Sequence, residues 1–243
     1  MVDTGSTRKY LLYAIGEIAL VVIGILIALQ INNWNEEKKI NNSIKNHLFI
    51  LQQNLKEDQI ILHQMQAGMI DNFNYADSLL MYFKTLIPYD SNTTKFLSKS
   101  LIELQFRPNT NAIETISQSN EIPFLESELQ EAVINYYALV KSTKARELIS
   151  NDQIANKYEP YIFTHYPHVF QKNNKWDYVK NQYEDDPRSI VKIDQEKLIA
   201  DKTLEAHMIA RRYQSDNLKA LYNSLITSSN QVLNLLENEL EKE

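Results

Sequence analysis

The sequence predicts an all-α protein: an N-terminal single transmembrane helix followed by an elongated extramembrane helical bundle with one long irregular connection. Three observations carry this. An apolar run fills residues 10–31, apolar residues then recur at three- and four-residue steps through most of the chain, and Gly5, Gly16, Gly24 and Gly68 are the only glycines among 243 residues. Tight hairpins draw on Gly or Asn-Gly at positive φ, so a chain without glycine after Gly68 is poorly equipped to build a β domain. Helices broken at prolines fit better.

The run from Tyr10 to Ile31 spans about 33 Å as a helix, against a hydrocarbon core of about 30 Å. Its thirteen Leu, Ile and Val residues contribute about −0.3 to −0.6 kcal/mol each to insertion, which outweighs about +2.5 to +3.5 for its one acid, Glu17. Tyr10, Tyr13 and Trp34 stand near the two ends, where amphipathic rings favour the headgroup layer. The run exceeds the apolar core of a secretory signal and has no small-x-small cleavage site after it, so a retained anchor is expected. Arg8 and Lys9 before the span, and Lys38, Lys39 and Lys45 after it, do not fix its orientation.

Ala14, Glu17, Val21, Gly24 and Ala28 recur at spacings of three and four. This places small residues and the carboxyl on one seam, the pattern by which membrane helices approach closely and by which a carboxyl finds a protein partner rather than lipid. Self-association through this face is the sharper reading; common span residues with a tolerated acid are the plainer one.

After Trp34, the residues Ile40, Ile44, Leu48, Leu51, Leu55, Leu62, Met65 and Met69 mark an amphipathic helix over about 34–87, closed by Pro88. Ser91 or Asn92 caps a short helix over about 92–105, and Pro108 ends that stretch. Asn111 with Glu114 three residues on opens a second short helix, about 111–119. Beyond Pro123 a long helix over about 125–159 buries Leu129, Val133, Tyr136, Tyr137 and Val140, and Pro160 is expected to end or kink it near Tyr158. Periodicity fails from Tyr161 to Pro187, the long connection, where a short helix near Trp176 to Tyr183 is not securely legible. A final helix over about 194–241 buries Leu204, Met208, Leu218, Leu221, Leu225, Val232, Leu236 and Leu240, so that three long helices pack as a bundle.

The segment from Lys9 to Lys38, with its Tyr13-Ala-Ile-Gly-Glu-Ile18 and Val21-Val-Ile-Gly-Ile-Leu-Ile-Ala-Leu-Gln-Ile-Asn-Asn-Trp-Asn-Glu36 runs, closely resembles the N-terminal signature of an uncharacterised single-span inner-membrane protein family of Bacteroidota. Arg107–Ile116 and Leu129–Tyr137 resemble weaker blocks of the same family, so the likeness covers the first 140 residues. The resemblance implies a short cytoplasmic tail over residues 1–9, the span over 10–31 and a periplasmic helical domain over 32–243. It implies no activity. Family members open with a longer basic segment than Met1–Thr7, which here carries Asp3.

Composition excludes several function classes. A formal charge of −6 with interspersed signs offers no field for nucleic acid. The absence of Cys removes disulfides, thiolate metal sites and a cysteine nucleophile. His165 and His168 flank Pro167 in an irregular segment without a defined third ligand, and Glu184–Asp186 lacks the alternating oxygens and turn glycine of a calcium loop, so neither metal nor cofactor is expected. No nucleophile elbow or phosphate-cradling glycine loop occurs, and no enzyme is expected. Among the aromatics of the long connection, Tyr161, Tyr166, Trp176 and Tyr183 form a candidate partner surface, although core filling is the commoner role of such residues.

The expected function is that of a non-enzymatic interaction or scaffold protein held in a bacterial inner membrane. Its partners would be the lipid bilayer and either itself or other membrane and periplasmic proteins, as a homo-oligomer or as a subunit of a larger complex. The alternative is an ion-handling or energy-coupling subunit, channel-like or stator-like, that uses Glu17 inside the membrane.

Overall fold

The computed structural model describes residues 4–86, 91–172, 177–191 and 193–241; the expected break at Pro88 and the partner-surface residue Trp176 lie outside these. It is all-α, with no strand among the described residues. The apolar run and the first amphipathic stripe are one uninterrupted helix, α1 (Thr4–Thr85). At about 1.5 Å per residue it is some 120 Å long. Its described apolar positions from Tyr13 to Ile31 face outward, with Leu20 72% and Val21 57% exposed. Burial begins only at Leu48, and Ile40, expected in the stripe, is exposed.

Two further long helices pack alongside α1. The first, α4 (Ser127–Gln153), follows the short helices α2 (Ser91–Lys99) and α3 (Asn111–Gln118) and a 3-10 turn at Ile122–Phe124. The last, α8 (Lys202–Leu240), lies against both α1 and α4. Gln66 donates to Asn223, Gln59 to Asn230 and Arg212 to Asp77, so α8 runs antiparallel to α1.

The second expected short helix begins where its sequence signal lies, although Thr110 rather than Asn111 occupies the cap. The first ends early. Instead of continuing to residue 105, α2 stops at Lys99, and residues 102–110 carry no regular structure. Asn72 donates to the Ile102 carbonyl at one end of this segment, and Asp58 accepts from the Asn109 N–H at the other. Seven residues thus cover the rise of fourteen helical ones, about 21 Å, which requires an extended chain. The cause is visible in Ile102-Glu-Leu-Gln-Phe106, where apolar and polar residues alternate, and in Pro108, which disfavours helix at Arg107.

An extended segment without a sheet must satisfy its backbone elsewhere. Here side chains do so. Asn72 serves the Ile102 carbonyl, Asn151 the Leu104 carbonyl, Glu147 the Phe106 N–H and Asp58 the Asn109 N–H. Arg211 reaches the Ser100 carbonyl just before the segment.

Of these, Asn72, Asn151, Glu147 and Arg211 form a belt between two apolar clusters. One joins Leu48–Met69 of α1 with α3, Leu129–Val140 of α4 and Leu218–Leu236 of α8. The other, further from the exposed N-terminal stretch, joins Leu79 and Phe83 with Leu97, Ile154, Tyr158, Ile162, Val169, Leu204 and Met208. The belt between them contains Asn72, Glu147, Ser150, Arg211 and Ser215, each at most 2% exposed.

The expected end near Tyr158 is absent. After Gln153 the chain makes one π-helical turn, Ile154–Tyr158, and continues as α5 (Glu159–His165). The wider turn places Pro160 in the first turn of a renewed helix, where its missing N–H breaks no ladder bond. The connection from 161 to 187 is also more ordered than its sequence suggests, with a 3-10 turn at Pro167–Phe170 and a helix α6 (Asp177–Gln182). The last expected helix is two. A short α7 (Gln195–Ala200) ends at Asp201, whose backbone is extended and whose carboxylate accepts from the N–H groups of Thr203 and Leu204 to start α8.

Candidate functional site

The seam residues Ala14, Glu17, Val21, Gly24 and Ala28 lie along one side of α1 and are all exposed. A Cβ added at Gly16 or Gly24 would meet nothing within 4 Å. The seam therefore belongs to the outward surface of a helix that is long and apolar enough to cross a membrane. Between Ile31 and Ser43, where the first tie to the bundle is made, about 18 Å of helix rises. There Ser43 and His47 both contact the Glu121 carboxylate, the latter at 2.6 Å. The bundle is thus mounted directly on the apolar segment.

The structure separates the three described residues of the candidate partner surface, Tyr161, Tyr166 and Tyr183. Tyr166 is 1% exposed, which corrects its placement on a surface. Its hydroxyl donates to Asp201 Oδ2 at 2.6 Å, and the half-buried Tyr161 donates to the same carboxylate at 2.7 Å. One acid therefore caps α8 and receives two phenols. Desolvation and the Asp201 carboxylate push the Tyr161 hydroxyl up to about 12, so it stays a donor. The His207 ring lies 5.9 Å from that of Tyr158 and 5.1 Å from that of Tyr161, and the His165 ring packs tilted against Tyr161 at 4.3 Å. These residues lock α5 to α8. The aromatics are legible in the sequence but Asp201 is not, its signal being an acid two residues before Thr203 in an otherwise periodic stretch.

Tyr183 does lie at a surface feature. With His168, Gln171, Lys172, Asp186, Arg188, Ser189 and Val191 it lines a cavity of about 120 Å³. His168 and Asp186, considered above as metal-type side chains, share this wall, and among the described residues no group of three His, Asp or Glu side chains comes together as a metal site.

The buried belt is absent from the expectations drawn from the sequence, although it leaves a signal there. Core positions of α4 step through Val140, Thr143, Glu147, Ser150 and Ile154, and those of α8 through Met208, Arg211, Ser215, Leu218 and Tyr222. Polar residues interrupt both stripes at one level. Glu147 Oε1 accepts from the Tyr222 hydroxyl at 2.6 Å and from the Phe106 N–H at 2.9 Å. Desolvation raises the Glu147 carboxyl above the ordinary range, and those two hydrogen bonds oppose the rise. Arg211 donates through Nη1 to Ser150 Oγ at 3.0 Å, and burial lowers its guanidinium to about 10. The belt holds backbone in place, and its interior position makes it architecture rather than a site open to substrate.

Fold and site together define an all-helical protein with, among the described residues, one candidate membrane-crossing helix and a bundle mounted on it. The chain belongs to the family of unknown function DUF6090, which it matches over residues 17–159. That stretch starts at Glu17 and ends just beyond the π-helical turn, so it takes in most of the apolar segment, the extended segment and α4. No curated protein and no solved structure matches the chain.

Proposed function

We propose that this chain is a membrane-anchored, non-enzymatic interaction or scaffold protein of a bacterial inner membrane, with its N-terminus in the cytoplasm and its helical domain in the periplasm. The observation that supports it most is the continuity of α1. One helix supplies both the apolar crossing segment and the longest wall of the bundle, so a contact made in the lipid fixes the position of the domain outside it. The partner in lipid is a second copy or a subunit of a larger complex, engaged through Ala14, Glu17, Val21, Gly24 and Ala28. Sizing after extraction in a mild detergent tests the reading. A discrete assembly larger than the monomer is expected, reduced by Glu17→Ala and by Gly24→Leu; a monomer, or an assembly indifferent to both changes, contradicts it.

A second reading rests on Glu17 alone, the one acid on the outward face of the apolar segment. In it the carboxyl handles a proton or cation within a channel-like or stator-like assembly. Ion flux lost in Glu17→Gln and kept in Glu17→Asp would favour this reading, and flux indifferent to both would remove it.

A further inference from the structure

The geometry points to the cavity between the Pro167–Phe170 turn and the loop after α6 as a binding site for a small soluble anion, a carboxylate or a phosphate, held by Lys172, Arg188 and their hydroxyl neighbours. Donors dominate its wall. The one acid among its described lining residues, Asp186, is committed to Arg188, accepting from Nε at 3.0 Å, from Nη2 at 2.7 Å and from the Arg188 backbone N–H at 3.0 Å. Lys172 Nζ donates to the carbonyls of Asp186 and Arg188. Those acceptors are neutral, so they position the ammonium without cancelling its charge.

What remains for a ligand is a third Lys172 proton, Arg188 Nη1, the hydroxyls of Tyr183 and Ser189 and the Gln171 amide. His168 adds a ring nitrogen, Nε2, that is shielded from solvent and has no partner. Burial, with Lys197 nearby, lowers the His168 imidazole below its usual value, so at neutral pH it offers one N–H or one lone pair rather than a further charge. Among the described residues two cations face one occupied carboxylate, and a cationic ligand would find no free charged acceptor. A carboxylate or phosphate would receive charge-assisted hydrogen bonds from at least two directions.

Size and place narrow the ligand. The cavity, about 120 Å³, has room for a compact anion. The adjoining Val169 packs in the cluster of Leu79 and Phe83, so about 70 Å of α1 rise separates the cavity from Ile31. Headgroups of the bilayer that holds the span are out of reach. The ligand is a free solute, and the site works independently of the seam in the span.

Calorimetric titration of the full chain in nonionic detergent, at fixed chloride, tests this with sodium phosphate and sodium acetate as separate probes. Saturable one-to-one binding of at least one probe is expected, with phosphate or acetate preference identifying the class. Lys172→Gln and Arg188→Gln should each weaken it by about tenfold or more, whereas Arg212→Gln, on α8, should leave it unchanged. Ser189→Ala, which leaves both cations in place, should weaken it about threefold and decides the matter if either charge variant loses its circular dichroism spectrum. Failure of both probes to saturate, or an affinity unmoved in the folded variants, overturns the site.

Discussion

Arg211 carries its charge into the middle of α8 with 1% exposure, and no carboxylate among the described residues forms an ion pair with it. Its Nε holds the Ser100 carbonyl and its Nη1 the Ser150 hydroxyl. Arg211→Ala leaves a cavity and strands the Ser100 carbonyl and the Ser150 hydroxyl, and should cost about 3 kcal/mol, while Arg211→Met, which refills much of the space without a buried charge, should recover much of that. Urea denaturation of the two variants checks the difference. Glu147→Ala strands both the Phe106 N–H and the Tyr222 hydroxyl and should cost about 3 kcal/mol. Combined with Tyr222→Phe, it should show a coupling of about 1 kcal/mol in a double-mutant cycle. Asp58 gives a pH dependence. Desolvation, opposed by the Asn109 N–H and aided by Glu57, raises its carboxyl from 3.8 to about 6. Between those values the folded protein keeps a proton that the unfolded chain releases, so this residue's contribution is greatest at low pH and falls as pH rises through 6. The loss is roughly 3 kcal/mol. Asp58→Asn, which still accepts from Asn109, should remove that decline when stability is measured from pH 4 to 7; an unchanged slope refutes the assignment.

The extended segment 102–110 has no counterpart in the helical reading, and its docking can be tested through Gly68. A Cβ there would lie 2.6 Å from Leu104 Cδ1, so Gly68→Ala should destabilise by about 1 kcal/mol although alanine is the better helix former. In a Leu104→Ala background the same change should become stabilising, because the helix preference is then unmasked. Equal effects in both backgrounds would show that the segment does not press on α1. The break before α8 is similarly local. Asp201→Ala removes a cap and the acceptor of two phenols and should cost about 2–3 kcal/mol in thermal or urea unfolding. These features were only partly legible. The alternation Ile102, Leu104, Phe106 could be read as extended chain, yet five residues between prolines and polar stretches resemble a helix end equally well. The π-helical turn that carries the chain past Pro160 leaves no signature in residue spacing.

At the scale of the whole molecule, α1 couples an exposed apolar segment, long enough to cross a membrane, to a domain with two apolar clusters and a polar belt between them. Amide exchange should follow that layout, with slow exchange in 48–80 and 204–236 and faster exchange in 32–42, where α1 is exposed on all sides. Uniform protection along α1 would contradict the isolated stalk. The sequence by itself determined the helical class, the apolar segment, the three long helices and most of their buried faces. Those follow from local quantities: a run longer than a bilayer is thick, a 3.6-residue period, and prolines that remove donors. Only the tertiary structure decided that one helix unites the apolar segment and the bundle, that Glu147 and Arg211 are interior, that Tyr166 belongs to the core, and that His168, Lys172, Tyr183 and Arg188 meet around one cavity. Each depends on which distant segment arrives opposite a residue, and a side chain's charge or aromaticity does not specify its neighbour.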